Sequence, residues 1–306
     1  MVKQASLTLK TRSPCNDIAG KGIIVTKHRG FTLIELLVVI AIIALLMSIL
    51  MPALAHVKKQ AQSVACVARL KSWGLMYKLY TDDNGGFFHE GWGYDHHPQN
   101  AGRPNTYGLW VNALRPYYID EKMRFCPTAT RVVLNDNDWG TFKAWYLKAA
   151  NRYPASGEGP DKEFTGSYGT SNWTDYMLKD RTSGGRLVQW FWKSTQNIKN
   201  ADHVPIFGDN TWHDAWPQQI DTPVQTPWDF GWGDKGTAGE MNQFCIDRHN
   251  GWTNLAFADW SARHVGLKEL WTLKWHREYD TSGSWTKRGG VLPTDWPQWL
   301  RKYREY

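Results

Sequence analysis

The longest apolar run in the chain, FTLIELLVVIAIIALLMSILMPALA, occupies residues 31–55 and carries a single carboxylate, Glu35. As a helix rising ~1.5 Å per residue it would span roughly 37 Å, enough to cross a hydrocarbon layer of about 30 Å. Pro52 lies near its far end and removes one backbone donor. A second pattern continues without a break. Leu54, Val57, Ala61, Val64, Ala68, Leu75 and Leu79 recur at spacings of three, four or seven, while Lys58, Lys59, Gln62 and Lys71 fall off that stripe. The spacing predicts an amphipathic helix with this stripe turned to a core. TDDNGG at 81–86 supplies polar residues and then glycines able to take a left-handed cap. One helix is therefore expected from about Phe31 to about Asp82.

Residues 87–240 are rich in Gly, Pro, Trp and Asn, have weak periodicity and read mostly as long loops. A short helix is expected near Leu109–Tyr118 and a strand near Val204–Phe207. The clearest sheet signal comes late. QFCID, TNLAFAD and SARHVG are short strand-like segments separated by turn residues. Asp259-Trp260-Ser261 would form the loop of a hairpin, with Leu255 and Phe257 on one strand face. LKELWTLKW, from Leu267, reads as a short helix. The pattern as a whole predicts an α+β fold: a long N-terminal helix, membrane-spanning in its first half, laid on a small antiparallel sheet with large irregular loops.

Charge changes the meaning of the N-terminus. The 306-residue chain has a formal net charge of +7. Residues 1–30 hold six basic residues and one acid, Asp17, which leaves 30 basic against 28 acidic residues in the rest. The excess thus belongs to the segment before the apolar run. That asymmetry keeps such a segment cytoplasmic while the chain beyond the run is exported. No later cluster of Lys and Arg suggests a nucleic-acid face.

The register around the start of the run is specific. RGFTLIELLVVIAIIALL resembles the prepilin-type cleavage and methylation segment of type IV pilins and type II secretion pseudopilins, over about Arg29 to Pro52. The resemblance implies a leader at 1–30, cleavage after Gly30 by a prepilin peptidase and N-methylation of Phe31. It implies a transmembrane and assembly helix at 31–55, an amphipathic continuation at 56–86 and an exported domain at 87–306. Such a subunit sits in the inner membrane with its C-terminal domain in the periplasm. It then joins identical or related pseudopilin subunits in a fibre through inner-membrane assembly machinery. Glu35 and Pro52 are the implied assembly residues. An ionised group in mid-bilayer costs ~2.5 kcal/mol or more and generally has a partner or a function. The Phe31 amine of a neighbouring subunit, created by cleavage, would be that partner. The competing reading is an ordinary secretory signal cut after Ala53-x-Ala55, which would place His56 at the mature terminus; the apolar stretch exceeds the ~7–15 residues such a signal uses. A second resemblance, in HNGWTNLAFAD, is to an H-X9-DG element of prepilin-processed proteins. His249 and Asp259 match it, and Trp260 stands where glycine is expected, which favours a longer loop.

Other candidates are weaker. His249 and Asp259 have no nucleophile motif beside them, so a structural hydrogen bond across adjacent strands is expected rather than catalysis. Cys126 and Cys245 are candidates for a disulfide in an exported domain, or else two buried thiols. Asp209, Asn210 and Asp214 offer oxygen ligands suited to calcium, which type II major pseudopilins are known to hold, or serve as turn caps. His89, Glu90, Asp95, His96 and His97 read as a surface loop before a metal site. Nineteen tryptophans, all at or after Trp73, give either an aromatic core or a polysaccharide-contacting surface. The functional expectation is a structural subunit without enzymatic activity. A fibre-displayed binding protein for polysaccharide or a secretion client is the alternative, and a secreted hydrolase stands behind both.

Overall fold

A computed structural model describes residues 31–91, 109–133, 140–148, 163–176, 186–226 and 239–306. Gly30 with the leader, and the Asp95-His96-His97 stretch, lie outside the described residues. The chain divides into two compact units, Met1–Ala53 and Leu54–Tyr306.

Helix α1 runs unbroken from Leu33 to Asp83, with Pro52 inside it. Its start is set by a reciprocal capping box. The Thr32 hydroxyl accepts from the Glu35 amide at 3.2 Å, and Glu35 Oε2 accepts from the Thr32 amide at 2.8 Å and its hydroxyl at 2.7 Å. Every residue from Phe31 to Ala53 is exposed. The helix bonds its own backbone, so such a surface suits hydrocarbon, not water. Its C-terminus is the expected glycine cap: Gly85 and Gly86 take left-handed φ of 63° and 87°, and the Gly86 amide reaches back to Thr81 O at 2.7 Å.

In the second unit, Cys66, Leu70, Trp73, Gly74, Tyr77 and Thr81 form the buried face of α1. This corrects the stripe expected from sequence. Leu54, Val57, Val64, Leu75 and Leu79 are exposed large apolar side chains, and Ala61 and Ala68 are exposed with them. The buried stripe keeps the same three-four spacing but is offset by two residues, roughly 200° around a helix turning ~100° per residue. Size and aromaticity decide between the two faces. Trp73 and Tyr77 bring far more surface to bury than Leu75 and Leu79. Gly74 lets the Trp260 turn come close, since a Cβ there would lie 3.2 Å from Trp260 O.

The buried face of α1 lies on a five-stranded sheet ordered β6-β4-β5-β7-β8, with β4 Tyr168–Ser171, β5 Pro205–Asp209, β6 Asp214–Ala215, β7 Trp252–Phe257 and β8 Ala262–Gly266. The β4/β5, β5/β7 and β7/β8 pairs are antiparallel and β4/β6 is parallel, so the sheet is mixed rather than purely antiparallel. A three-stranded sheet, β1 Arg131–Val132, β2 Lys143–Lys148 and β3 Glu163–Gly166, lies within the stretch read as loop. The expected short helix appears as α2 Trp110–Ala113 followed by a 3-10 turn at Arg115–Tyr117. QFCID is not a strand; its first residue, Gln243, ends a 3-10 turn at Glu240–Gln243. LKELWTLKW yields a 3-10 turn at Glu269–Thr272.

The late hairpin forms as expected, with residues 258–261 between its strands, a longer loop than a two-residue Asp-Gly turn. The Trp260 amide bonds Phe257 O at 2.8 Å, and Trp260 takes the left-handed φ of 67° that a glycine would occupy more easily. The Asp259 carboxylate holds the turn by accepting from the Ser261 amide at 2.9 Å. Strand β5 is buried throughout and β7 from Thr253 to Phe257, so alternation does not mark one inward face.

Candidate functional site

Two regions carry functional side chains, one in each unit. In the first, Phe31 is exposed and precedes the capping pair Thr32 and Glu35. The carboxylate therefore has a partner inside its own chain, a signal legible in the sequence as Thr-x-x-Glu before an apolar run.

In the second, four segments distant in sequence meet in the core. Helix α1 brings Cys66. The chain after the 3-10 turn Glu121–Arg124 brings Cys126. Asp209 ends β5, and His249 lies just before β7. One donor atom from each lies within 4.8 Å of the others, and all four residues are buried. The Cys66 thiol donates to Asp209 Oδ2 at 3.5 Å. Cys126 Sγ lies 3.4 Å from His249 Nε2, and the same nitrogen lies 3.1 Å from Asp209 Oδ2. Around them, the Tyr168 hydroxyl donates to Cys66 Sγ at 3.2 Å and the Cys126 amide donates to Ser167 Oγ at 2.5 Å. The Asn254 amide donates to Asp209 Oδ2 at 3.1 Å, and Arg248 pairs with Asp209 Oδ1 at 3.2 Å. Arg248 also donates to the carbonyls of Thr141, Ser167 and Asn210, so it is a structural clamp at the strand ends.

Charges shape this cluster. Burial alone would raise the Asp209 carboxyl, but His249 and Arg248 beside it hold it at about 2. Burial alone would lower the His249 imidazole, but the Asp209 carboxylate and the hydrogen bonds to Asp209 and Cys126 push it up to about 10. Burial pushes the Cys66 thiol well up, reinforced by Cys126 and Asp209. Cys126 is drawn down: burial opposes this, but hydrogen bonds from Cys66 and His249 and the Arg248 charge outweigh it. The arrangement is not a nucleophile relay. A relay uses one imidazole nitrogen for the thiol and the other for the carboxylate; here both contacts fall on Nε2. His249 and Arg248 also line an open cleft of about 900 Å³ with Thr128, Phe142, Trp252 and His264.

The candidates read from sequence divide accordingly. His249 does not bond Asp259; its carboxylate partner is Asp209. His249 and Asp259 lie at opposite ends of β7, whose six residues at ~3.3 Å each hold them apart. The Cys126–Cys245 bridge is not formed. Cys126 faces Cys66 and His249, while the Cys245 thiol points to Leu267 O at 3.9 Å, and both are buried free thiols. Asp209, Asn210 and Asp214 do not fit calcium. Asp209 and Asp214 pair with opposite edges of β4, the first facing two cationic side chains and the second accepting from Asn172 at 2.9 Å. Asn210 caps its own turn by accepting from the Trp212 amide at 2.8 Å. His89 is buried against Tyr77 and lies 3.6 Å from Asp175. Among the described residues, nine tryptophans are buried in the core and Trp252 is the exposed one, so the aromatic wealth is mostly packing. Sequence reasoning missed Cys66, Tyr168 and Arg248 as members of the cluster. Only the helical spacing of Cys66 with Leu70, Trp73 and Tyr77 could have flagged any of them.

Comparison with known proteins bears on the first region. A family model described as the prokaryotic N-terminal methylation motif matches residues 25–51. The chain carries that motif. Its match includes Gly30, Phe31 and Glu35 and ends one residue before Pro52. A relative, the type IV wide pilus major component PilA4 of Thermus thermophilus, is 42% identical over 59 residues. That match covers 19% of this chain and 45% of the relative, so the chain aligns with less than half of that protein's length. No solved structure matches the chain. The methylation motif, together with the one helix among the described residues that is long and apolar enough to cross a membrane, fits a membrane-anchored protein.

Proposed function

We propose that this chain is a pilin-like fibre subunit with a structural rather than catalytic role. In this reading a prepilin peptidase cuts after Gly30 and Phe31 is N-methylated. The helix from Phe31 holds the subunit in the inner membrane with its C-terminal domain in the periplasm. Assembly machinery then draws it into a type II secretion or type IV pilus-like fibre with identical or related subunits. The observation that carries this is the exposed apolar surface of α1, together with the methylation motif at its start. Beyond Ala53 that surface persists as the outward stripe Leu54, Val57, Val64, Leu75 and Leu79. A helix that lies on its own sheet with one face and keeps a second apolar stripe outside has somewhere else to bury it. Other subunits' helices are that place.

Glu35 then has two partners in turn. Within the chain it caps the helix through Thr32. After cleavage, the Phe31 amine of a neighbouring subunit would neutralise it and set the axial register. N-terminal sequencing of the mature protein gives Phe31 on this reading; His56 would mean secretory processing and end it. Glu35→Ala and Glu35→Gln are both expected to be cleaved but to assemble poorly. Thr32→Ala, which removes only the cap, is expected to assemble. Normal fibres from the Glu35 variants would remove the charge-pairing role.

A second reading, a fibre-displayed binding protein, draws on the cleft with Trp252 and Phe142 in its wall. An oligosaccharide that binds the full chain in micelles, and whose binding Trp252→Ala abolishes, would support it.

A further inference from the structure

We propose that Cys66, Cys126, Asp209 and His249 form a tetrahedral zinc site that ties helix α1 to the end of β5 and the entry to β7. This does not depend on the fibre reading. Four donor atoms, two sulfurs, one nitrogen and one oxygen, lie within 4.8 Å of one another. That is the number, chemistry and closeness of a closed structural zinc site, whose bonds run ~2.0–2.3 Å. Two thiolates and an imidazole select a borderline-soft ion over calcium or magnesium.

The hydrogen-bond pattern points the same way. His249 Nε2 faces both Cys126 Sγ and Asp209 Oδ2, and Cys66 Sγ faces Asp209 as well. A single N–H cannot point well at a sulfur and an oxygen together. A nitrogen lone pair aimed at an ion between them suits all four groups at once. The surrounding contacts are those of ligand supports. Tyr168 donates to Cys66 Sγ, Thr128 Oγ1 lies 3.0 Å from Cys126 Sγ, and Arg248 and the Asn254 amide hold Asp209. Zn2+ with two thiolates, one carboxylate and the Arg248 guanidinium sums to zero charge, so the filled site leaves no net charge in the core. On binding, the protons carried by the thiols and the imidazole leave to solvent. His249, Arg248 and Thr128 border the cleft, which places the cluster next to solvent.

The test uses the full chain in detergent micelles, stripped with chelator and reloaded. Elemental analysis should give one zinc per chain. Cobalt in place of zinc should give sulfur-to-cobalt charge transfer and the intense visible bands of a tetrahedral ion. Cys66→Ser and Cys126→Ser should each lose the charge-transfer intensity and most of the bound metal, while Cys245→Ser, outside the cluster, keeps both. Should the serine variants fail to fold, the wild-type cobalt spectrum and the rise in its unfolding temperature on adding zinc still decide. Folded wild-type protein that takes up no metal would overturn the proposal. So would unreduced peptide mapping that finds a Cys66–Cys126 disulfide, or a cobalt spectrum without thiolate character.

Discussion

The two halves of helix α1 are equally helical and obey opposite rules of burial. From Phe31 to Ala53 no residue is covered, and the apolar side chains stand outward all round. From Cys66 to Thr81 one face is sealed against β4 and β5, with Trp73 5.3 Å from Phe207 and the Tyr77 hydroxyl donating to Thr170 at 3.2 Å. The first half therefore depends on an environment supplied from outside, a bilayer or other helices. The second half supplies its own. The outward stripe from Leu54 to Leu79 belongs to the first regime while running along the same turns as the second. One helix thus carries both a face sealed by its own domain and an apolar surface left outside it.

Substitutions on the two faces should separate these regimes. Trp73→Ala should have the largest effect. This fully buried ring packs on Trp110 and Tyr118 at 5.1 and 4.9 Å and donates to Met123 O at 2.8 Å. A loss of about 3–5 kcal/mol in thermal or denaturant unfolding of the domain is expected. Gly208→Ala, at the next-to-last residue of β5, comes next. A Cβ there would lie 2.2 Å from Leu255 Cδ2 and 2.7 Å from Asn254 O, and about 1–3 kcal/mol of overpacking should appear in the same measurement.

A pH series tests the buried interior against the exposed helix. Asp221 accepts from the Gln218 and Met241 amides at 3.0 and 2.8 Å, and burial pushes its carboxyl up to about 7. The folded chain therefore prefers the protonated acid. That contribution is complete below the ordinary carboxylate range and is lost as pH rises through about 7. The unfolding midpoint should fall between pH 5 and pH 8, by ~2–4 °C for each kcal/mol involved. Asp221→Asn should flatten the slope.

Leu75→Ala should be the smallest stability change, within about 0.5 kcal/mol, although it lies only two residues from Trp73. Its effect should appear in fibre yield instead. A cost to domain stability comparable to that of Trp73→Ala would mean that the outward stripe is buried in the isolated subunit.

Much of the fold was legible because some signals are local. The helix from Leu33 to the Gly85-Gly86 cap, the β7/β8 hairpin and the short helix at Trp110 each arise from residues adjacent in sequence. The Thr32-Glu35 cap is equally local, but the same carboxylate also suits a partner in another chain, and the sequence alone does not separate the two. The strands β1 to β4 and β6 were hidden. They are short, carry mixed or wholly buried patterns, and take their edges from partners far along the chain. The Cys66 cluster was hidden for the same reason, its members lying on four separate segments.

By itself, the sequence determined the motif at 25–51, the length of the apolar helix and the period of its amphipathic continuation. Hydrophobicity, capping and turn chemistry act over a few residues, and a single chain displays them directly. Only the tertiary structure decided which of two stripes on that helix meets the sheet. It also decided that His249 pairs with Asp209 rather than Asp259, and that Cys126 stands beside Cys66 rather than Cys245. Each of those choices turns on shape and charge brought together from segments far apart in the chain, and a period of 3.6 is the same on either side of a helix.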